Sequence, residues 1–337
     1  MTDQSGTGTV EPAPPARPPP PGGELSLERL PTFLAAQRWF GRKAFPIKAV
    51  RPLDVVKLPA SEGQEAALAV AEVTFVGVPA EHYLVALLPD GGEGLRSGFE
   101  DDEVVRSLFA LARGGPPAIT GGSLLRGERL PGAEAALAQA PERPPVRRIS
   151  AEQSNSSFVL DEQVILKVLR KVEPGPSAEF EMGRFLATRT SFRATPALLG
   201  AVHLEGQTQA TIATVHEFVP GAQDGWSYLL DRYRAQAPGP LPQDLMAELR
   251  ELGQRVGELH LALASAPGDP VFAPEPVQQE DLQRWSATLV GEIGVTLAEA
   301  SRLFPDLFER RGEVVKRAMR MAQIHPSGMK IRIHGDL

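Results

Sequence analysis

The feature that most constrains this chain is a change of texture along its length. Up to Val219 it is a succession of short β-compatible runs broken by proline, glycine and acidic turn residues; from Gly225 onward the periodic segments have helical spacing. Strands gathered ahead of helices point to an α+β fold. The early runs are Val50–Leu58, Ala66–Val76 and His82–Leu88, followed by an amphipathic segment over 101–113. The later runs are Arg147–Ala151, Phe158–Leu160 and Gln163–Leu169, then a helix from an N-capping Ser177 to about Thr190, then Ala197–Leu204 and Thr208–Val219. This second group predicts an antiparallel sheet around one helix. Helices follow over Gly225–Arg234, Pro242–Ala266 and 278–323, and Ile331–Leu337 reads as a short strand running into a loop.

The order of textures divides the chain. Seven of the 32 prolines fall within residues 1–23, with almost no large apolar side chain, a composition that cannot offset the entropy of ordering. A disordered tail over 1–23 is expected. A cap subdomain follows over 24–145, opening on the helical face Leu27, Leu30, Phe33 and Leu34 and closing on an Ala/Pro/Glu-rich linker at 131–146. An antiparallel lobe is expected over 146–220 and a helical lobe over 221–337. A net charge of −7 argues against a nucleic-acid partner. The absence of cysteine excludes disulfides, thiolate metal sites and a cysteine nucleophile. No signal peptide or membrane-length apolar run is present, so the expected location is the cytoplasm, with no membrane partner.

Chemistry concentrates in four places. In Val164-Ile-Leu-Lys-Val-Leu169, alternation puts Lys167 on one face with Ile165 and Leu169, where an ammonium needs a reason. A small-polar turn, Gln153-Ser-Asn-Ser-Ser157, precedes it, and a carboxylate follows 14 residues later on the next helix. That order matches the parts a kinase uses to hold nucleotide phosphates: backbone N–H groups and hydroxyls of Ser154, Asn155, Ser156 and Ser157, the ammonium of Lys167, and Glu181 as its ion-pair partner. Glu181 is preferred to Glu179 because it lies deeper in the helix. The segment Thr214–Gly221 suits a hinge, with adenine against the backbone of Glu217 and Val219; His216 reads as a half-exposed strand residue. Last, Ile331–Ile333 delivers His334-Gly335-Asp336 into a loop, where Asp336 is placed to deprotonate an attacking hydroxyl.

Several segments together resemble the bacterial maltokinases, relatives of the aminoglycoside phosphotransferases with a protein-kinase-like bilobal fold. They are Gln37-Arg-Trp-Phe-Gly41 with Lys43, Glu152-Gln-Ser-Asn-Ser-Ser157, Ile165-Leu-Lys167, Glu173-Pro-Gly175 through Phe185, Glu217-Phe-Val-Pro-Gly221, Asp224-Gly-Trp226, Leu259–Leu263 and Ile331–Asp336. The resemblance implies transfer of the γ-phosphate of ATP, with Mg2+, to the anomeric hydroxyl of maltose for α-glucan synthesis, and an association with trehalose synthase. It makes Lys167 the phosphate lysine, Glu181 its partner and Asp336 the base. Trp39 and Phe40 read as core anchors. The family continues past His-Gly-Asp with magnesium ligands, so these are expected beyond Leu337 and the chain as given is expected to be inactive. Alternatives are a same-fold kinase for glucosamine or an aminoglycoside, or a non-catalytic kinase-shaped binding module.

Overall fold

The computed structural model describes residues 27–91, 94–149, 154–235, 239, 242–300 and 309–333. The tail expected over 1–23 and the His334-Gly335-Asp336 segment lie outside the described residues.

Helix α1 (Leu30–Ala36) tolerates Pro31 in its first turn, where the missing N–H has no intrahelical acceptor, and it buries Leu30 and Leu34. Three long antiparallel strands follow, β1 (Ile47–Pro59), β2 (Glu65–Phe75) and β3 (Glu81–Pro89), with the short β4 (Leu95–Ser97) beside β3. Helix α2 (Asp102–Ala112) is capped by the Asp101 carboxylate, which accepts from the Glu103 N–H, and it buries Val104, Val105, Leu108 and Phe109. Next come β5 (Ala118–Thr120), β6 (Ser123–Arg129), α3 (Glu134–Gln139), β7 (Val146–Ile149), β8 (Asn155–Leu160), β9 (Val164–Leu169) and β10 (Lys171–Val172). Helix α4 (Ala178–Arg189), β11 (Leu198–Glu205) and β12 (Gln209–Glu217) complete the strand-rich part. Beyond it lie α5 (Gly225–Arg234), α6 (Gln243–Leu263), β13 (Glu275–Pro276), α7 (Gln279–Ala300), α8 (Arg311–Arg320) and β14 (Met329–Lys330).

Cap and antiparallel lobe do not form separately: strands cross the boundary expected at 145/146 in both directions. The second sheet has seven strands in the order β5-β6-β11-β12-β9-β8-β7, so two strands from residues 118–129 complete it. In the other direction β10, which follows β9 after one residue, pairs with β3 in the first sheet, Lys171 opposite Tyr83 and Val172 opposite His82. One apolar core then serves both sheets: Val56, Leu68 and Leu84 from the first, Leu108 from α2, and Phe158, Leu166 and Val215 from the second are buried in a single cluster. The physical reason is that α2 has apolar residues enough to cover two sheet faces at once. The expected linker also folds. Within it α3 buries Leu137, flanked by buried Ala133 and Ala140, so one large side chain anchors a helix whose alanine-rich composition hid it.

Contact between α2 and the second sheet is close enough to need glycine. A Cβ on Gly127 of β6 would fall 1.7 Å from the carbonyl oxygen of Leu111, and one on Gly200 of β11 would fall 2.9 Å from that of Ala112. The helix therefore rests its last turn directly on sheet backbone.

Outside the first sheet, Trp39 and Phe40 pack beside Tyr83 with ring centroids 6.1 and 5.0 Å away. Below them Glu81, whose side chain is 9% exposed, accepts from Arg42 Nη2 at 2.8 Å and Lys171 Nζ at 2.9 Å, and from the Tyr83 hydroxyl. Burial pushes its carboxyl up, but the hydrogen bonds from Arg42, Tyr83 and Lys171 outweigh that and bring it down from 4.5 to about 2. A depressed carboxylate stabilises the fold above its unfolded value and ceases to do so as pH falls through the folded one. Glu81→Gln is therefore expected to be less stable than the wild type at pH 7, with the gap closing between pH 4.5 and about 2. Denaturant melts across that range measure it, and a gap undiminished at pH 2 would assign the effect to shape instead of charge.

The helical end packs on α4: Met182, Phe185 and Leu186 share a cluster with Leu259 and Leu263 of α6 and with Phe272. Among the described residues no helix is long and apolar enough to cross a membrane.

Candidate active site

Lys167 sits in the middle of β9 with Ser157 of β8 opposite on one side and Thr214 of β12 opposite on the other. Residues directly opposite in antiparallel strands share a face, so these three side chains form one polar stripe across three strands. Helix α4 lies over it. The Ser177 hydroxyl accepts from the Phe180 N–H and sets where the helix begins, which presents the carboxylate of its second residue, Glu179, to the stripe.

Glu179 Oε2 pairs with Lys167 Nζ at 2.9 Å. Its Oε1 accepts from the Thr214 hydroxyl at 3.1 Å and from His216 Nε2 at 3.0 Å. An ionised carboxylate only accepts, so Nε2 of His216 carries the hydrogen. Burial raises the Glu179 carboxyl, yet the His216 hydrogen bond and the Lys167 charge together hold it at about 2, well below the carboxylate range. The ammonium is thus fixed by a permanently charged, three-way-satisfied partner while its side chain stays 29% exposed, the condition for a cation that receives an anion from outside. A cavity of about 360 Å3 opens beside the cluster, reached by Glu179, Gly183, Leu198, His216 and Glu217.

This geometry corrects the pairing read from sequence. Glu181 does not meet Lys167. Two residues along a helix turn the side chain by roughly 200°, onto the opposite face. There Glu181 Oε2 pairs with Arg332 Nη2 at 2.9 Å, and the Arg332 guanidinium lies 6.0 Å from the ring of Phe272, itself stacked on Phe185. Glu181 therefore ties α4 to the segment that leads into His334.

The polar turn is also differently placed. Asn155, Ser156 and Ser157 are already inside β8, and Ser154 is exposed just ahead of it. Alternation puts Asn155 with the buried Ser157 on the Lys167 side, while Ser156 faces away and its hydroxyl accepts from Arg170 Nε at 2.9 Å. Glu217 ends β12 with its carboxylate accepting from the Ala197 N–H at 3.3 Å, and Val219 is 49% exposed beyond it. Neither joins the lysine cluster through its side chain. Asp336 lies outside the described residues. His216 and Thr214 were missed as site residues, although their i, i+2 spacing on a strand next to the lysine strand was a usable signal. Among the described residues no group of three or more His, Asp or Glu side chains is arranged to hold a metal ion.

No family model matches the chain. A glucosamine kinase from Streptacidiphilus jiangxiensis is 26% identical over 277 residues, covering 75% of this chain and 59% of the relative, so the chain spans less than two thirds of that protein's length. A glucosamine kinase solved in complex with glucosamine, ADP and inorganic phosphate superposes with a TM-score of 0.56 at 23% identity, over 91% of this chain and 67% of the other. A second crystal form gives 0.58 at the same identity and coverage. These findings overturn the maltokinase resemblance and the protein-kinase-like description that came with it: the similar proteins are glucosamine kinases. Over the part covered, the fold is similar to that of those glucosamine kinase structures.

Proposed function

We propose that this chain carries the nucleotide-holding part of an ATP-dependent sugar kinase whose acceptor is an amino sugar of the glucosamine class. The observation that carries the reading is the Lys167–Glu179 pair with its His216 and Thr214 supports, on a fold shared with an enzyme solved with glucosamine, ADP and phosphate. In this reading the Lys167 ammonium draws the nucleotide phosphates to the polar stripe, Asn155 and Ser157 flank them, and the adenine lies toward the hinge backbone at Glu217 and Val219. The acceptor hydroxyl oxygen attacks the γ-phosphorus and its proton passes to the carboxylate of Asp336. The bond from phosphorus to the β,γ-bridging oxygen breaks, releasing ADP. Magnesium, when bound, would neutralise charge on the β- and γ-phosphates.

The test has two arms. Titration calorimetry of this chain with ADP should show saturable binding. ADP release by the complete gene product, offered glucosamine, glucose, maltose and an aminoglycoside in parallel, should depend on glucosamine most strongly. Equal release with and without glucosamine would remove the substrate assignment, and absence of ADP binding would remove the nucleotide site.

A further inference from the structure

The motif Gln37-Arg-Trp-Phe-Gly41 has no part in the site just described, yet it touches that site through one residue. Arg170 stands alone between β9 and β10, the point where the chain passes from the second sheet to the first. Its carbonyl accepts from the Leu84 N–H of β3 at 2.8 Å. Its side chain, 5% exposed, lies between two rings, 4.8 Å from the centroid of Trp39 and 4.1 Å from that of Phe99. A guanidinium keeps its charge when buried and stacks well on aromatic faces, so ring faces here do what a carboxylate does elsewhere. No ion pair joins it among the described residues. What remains is directional: its Nε donates to the Ser156 hydroxyl at 2.9 Å.

That hydrogen bond matters because of what Ser156 sits between. In β8 the side-chain period is two, and a slip or twist of one residue would exchange Ser156 with its neighbours and turn Asn155 and Ser157 away from Lys167. The N-terminal half of β8 has no large apolar side chain to specify its face, since its residues are Asn155, Ser156 and Ser157. We infer that Arg170 is a positioning residue for the candidate nucleotide face: clamped between Trp39 and Phe99, it holds Ser156 on the far side of β8 and so keeps Asn155 and Ser157 on the side of Lys167. The inference rests on the nucleotide reading above for its functional consequence, though not for the geometry. It gives Trp39 a duty beyond packing, since the motif residue forms one jaw of the clamp.

The experiment uses the 337-residue chain. ADP affinity is measured by titration calorimetry for the wild type, Arg170→Met, Ser156→Ala, the double variant, and Arg170→Met combined with Lys167→Met. Hydrogen exchange is followed at the β8 amides and at those of β11 and β12. Arg170→Met and Ser156→Ala should each weaken ADP binding roughly tenfold, the scale of one charge-assisted hydrogen bond, and the double variant no further than either alone. In the Lys167→Met background Arg170→Met should have no additional effect, which a general loss of stability would not produce. Exchange should quicken at residues 155–157 while β11 and β12 keep their protection. Where Arg170→Met does not fold, Trp39→Leu, which fills space without a ring face, should move both readouts the same way by less. Wild-type ADP affinity in the Arg170 variants, or additive losses in the double variant, would overturn the inference. If the wild type itself binds no ADP, the nucleotide reading fails, and exchange alone decides whether Arg170 holds β8: unchanged exchange rejects it and faster local exchange supports it.

Discussion

Glu179→Gln is expected to weaken ADP binding by roughly 10- to 100-fold, while Glu181→Gln should produce a smaller loss. The size follows from removing one charged partner of a mostly buried ammonium and leaving the other uncompensated, an effect of about 1.5 to 3 kcal/mol when hydrogen bonds to charged groups are involved. Glutamine would keep the shape and one acceptor for His216 or Thr214, but it would not hold Lys167 Nζ, now 2.9 Å from the carboxylate, with a full charge. Lys167→Met should match the loss, and the double variant should add little, because the two residues act as one unit. Titration calorimetry with ADP on the wild type and these four variants decides it. A larger loss for Glu181→Gln than for Glu179→Gln would return the pairing to the one that helix depth alone suggested. Since Glu179 is held at about 2, its charge does not change across neutral pH, and the wild-type affinity should show no titration from this group between pH 5 and 8.

Gly127→Ala is expected to cost about 3 kcal/mol or more, and to leave little folded protein if the wild type has ordinary stability. The added methyl would lie 1.7 Å from the Leu111 oxygen and 2.3 Å from its carbonyl carbon, both backbone atoms that cannot swing aside as a side-chain tip can. Relief requires lifting the last turn of α2 off the sheet, and with it Leu108 and Phe109 out of the shared core. Gly257→Ala in α6 is the matched comparison: nothing lies within 4 Å of its new methyl, and an alanine inside a helix should be neutral to stabilising by up to about 1 kcal/mol. Denaturant melts of both variants against the wild type provide the measurement. A Gly127→Ala protein as stable as its parent would mean that α2 does not rest on β6.

What could be read in advance divides along physical lines. The β9 strand and the helix beginning at Ser177 were legible because each depends on local rules, a period of two and a capping hydroxyl. The meeting of Lys167 with a carboxylate from that helix was legible in kind. Which carboxylate was not, because it depends on the face α4 turns toward the sheet, a matter of tertiary packing. The direction of Ser156 was missed for a related reason: polar residues 155–157 read as a turn, whereas pairing with β9 makes them a strand. Membership of β5 and β6 in the second sheet depends on contacts between Glu128 and Ala201 and between Leu125 and Leu204, which no local pattern announces. The acceptor was least legible of all, since the shared motifs concern phosphate handling and are silent on the sugar.

Helix α4 gives the molecule an unusual economy of moving parts. Glu179 and Glu181 are fixed to one rigid rod, one reaching Lys167 and the other Arg332, on opposite flanks. A roll of that rod about its axis carries the two carboxylates in opposite directions, so tightening the grip on one cation loosens the other. The lysine on the sheet and the non-strand segment over 331–333 thus share a single rigid mount, with no loop between the two carboxylates that hold them.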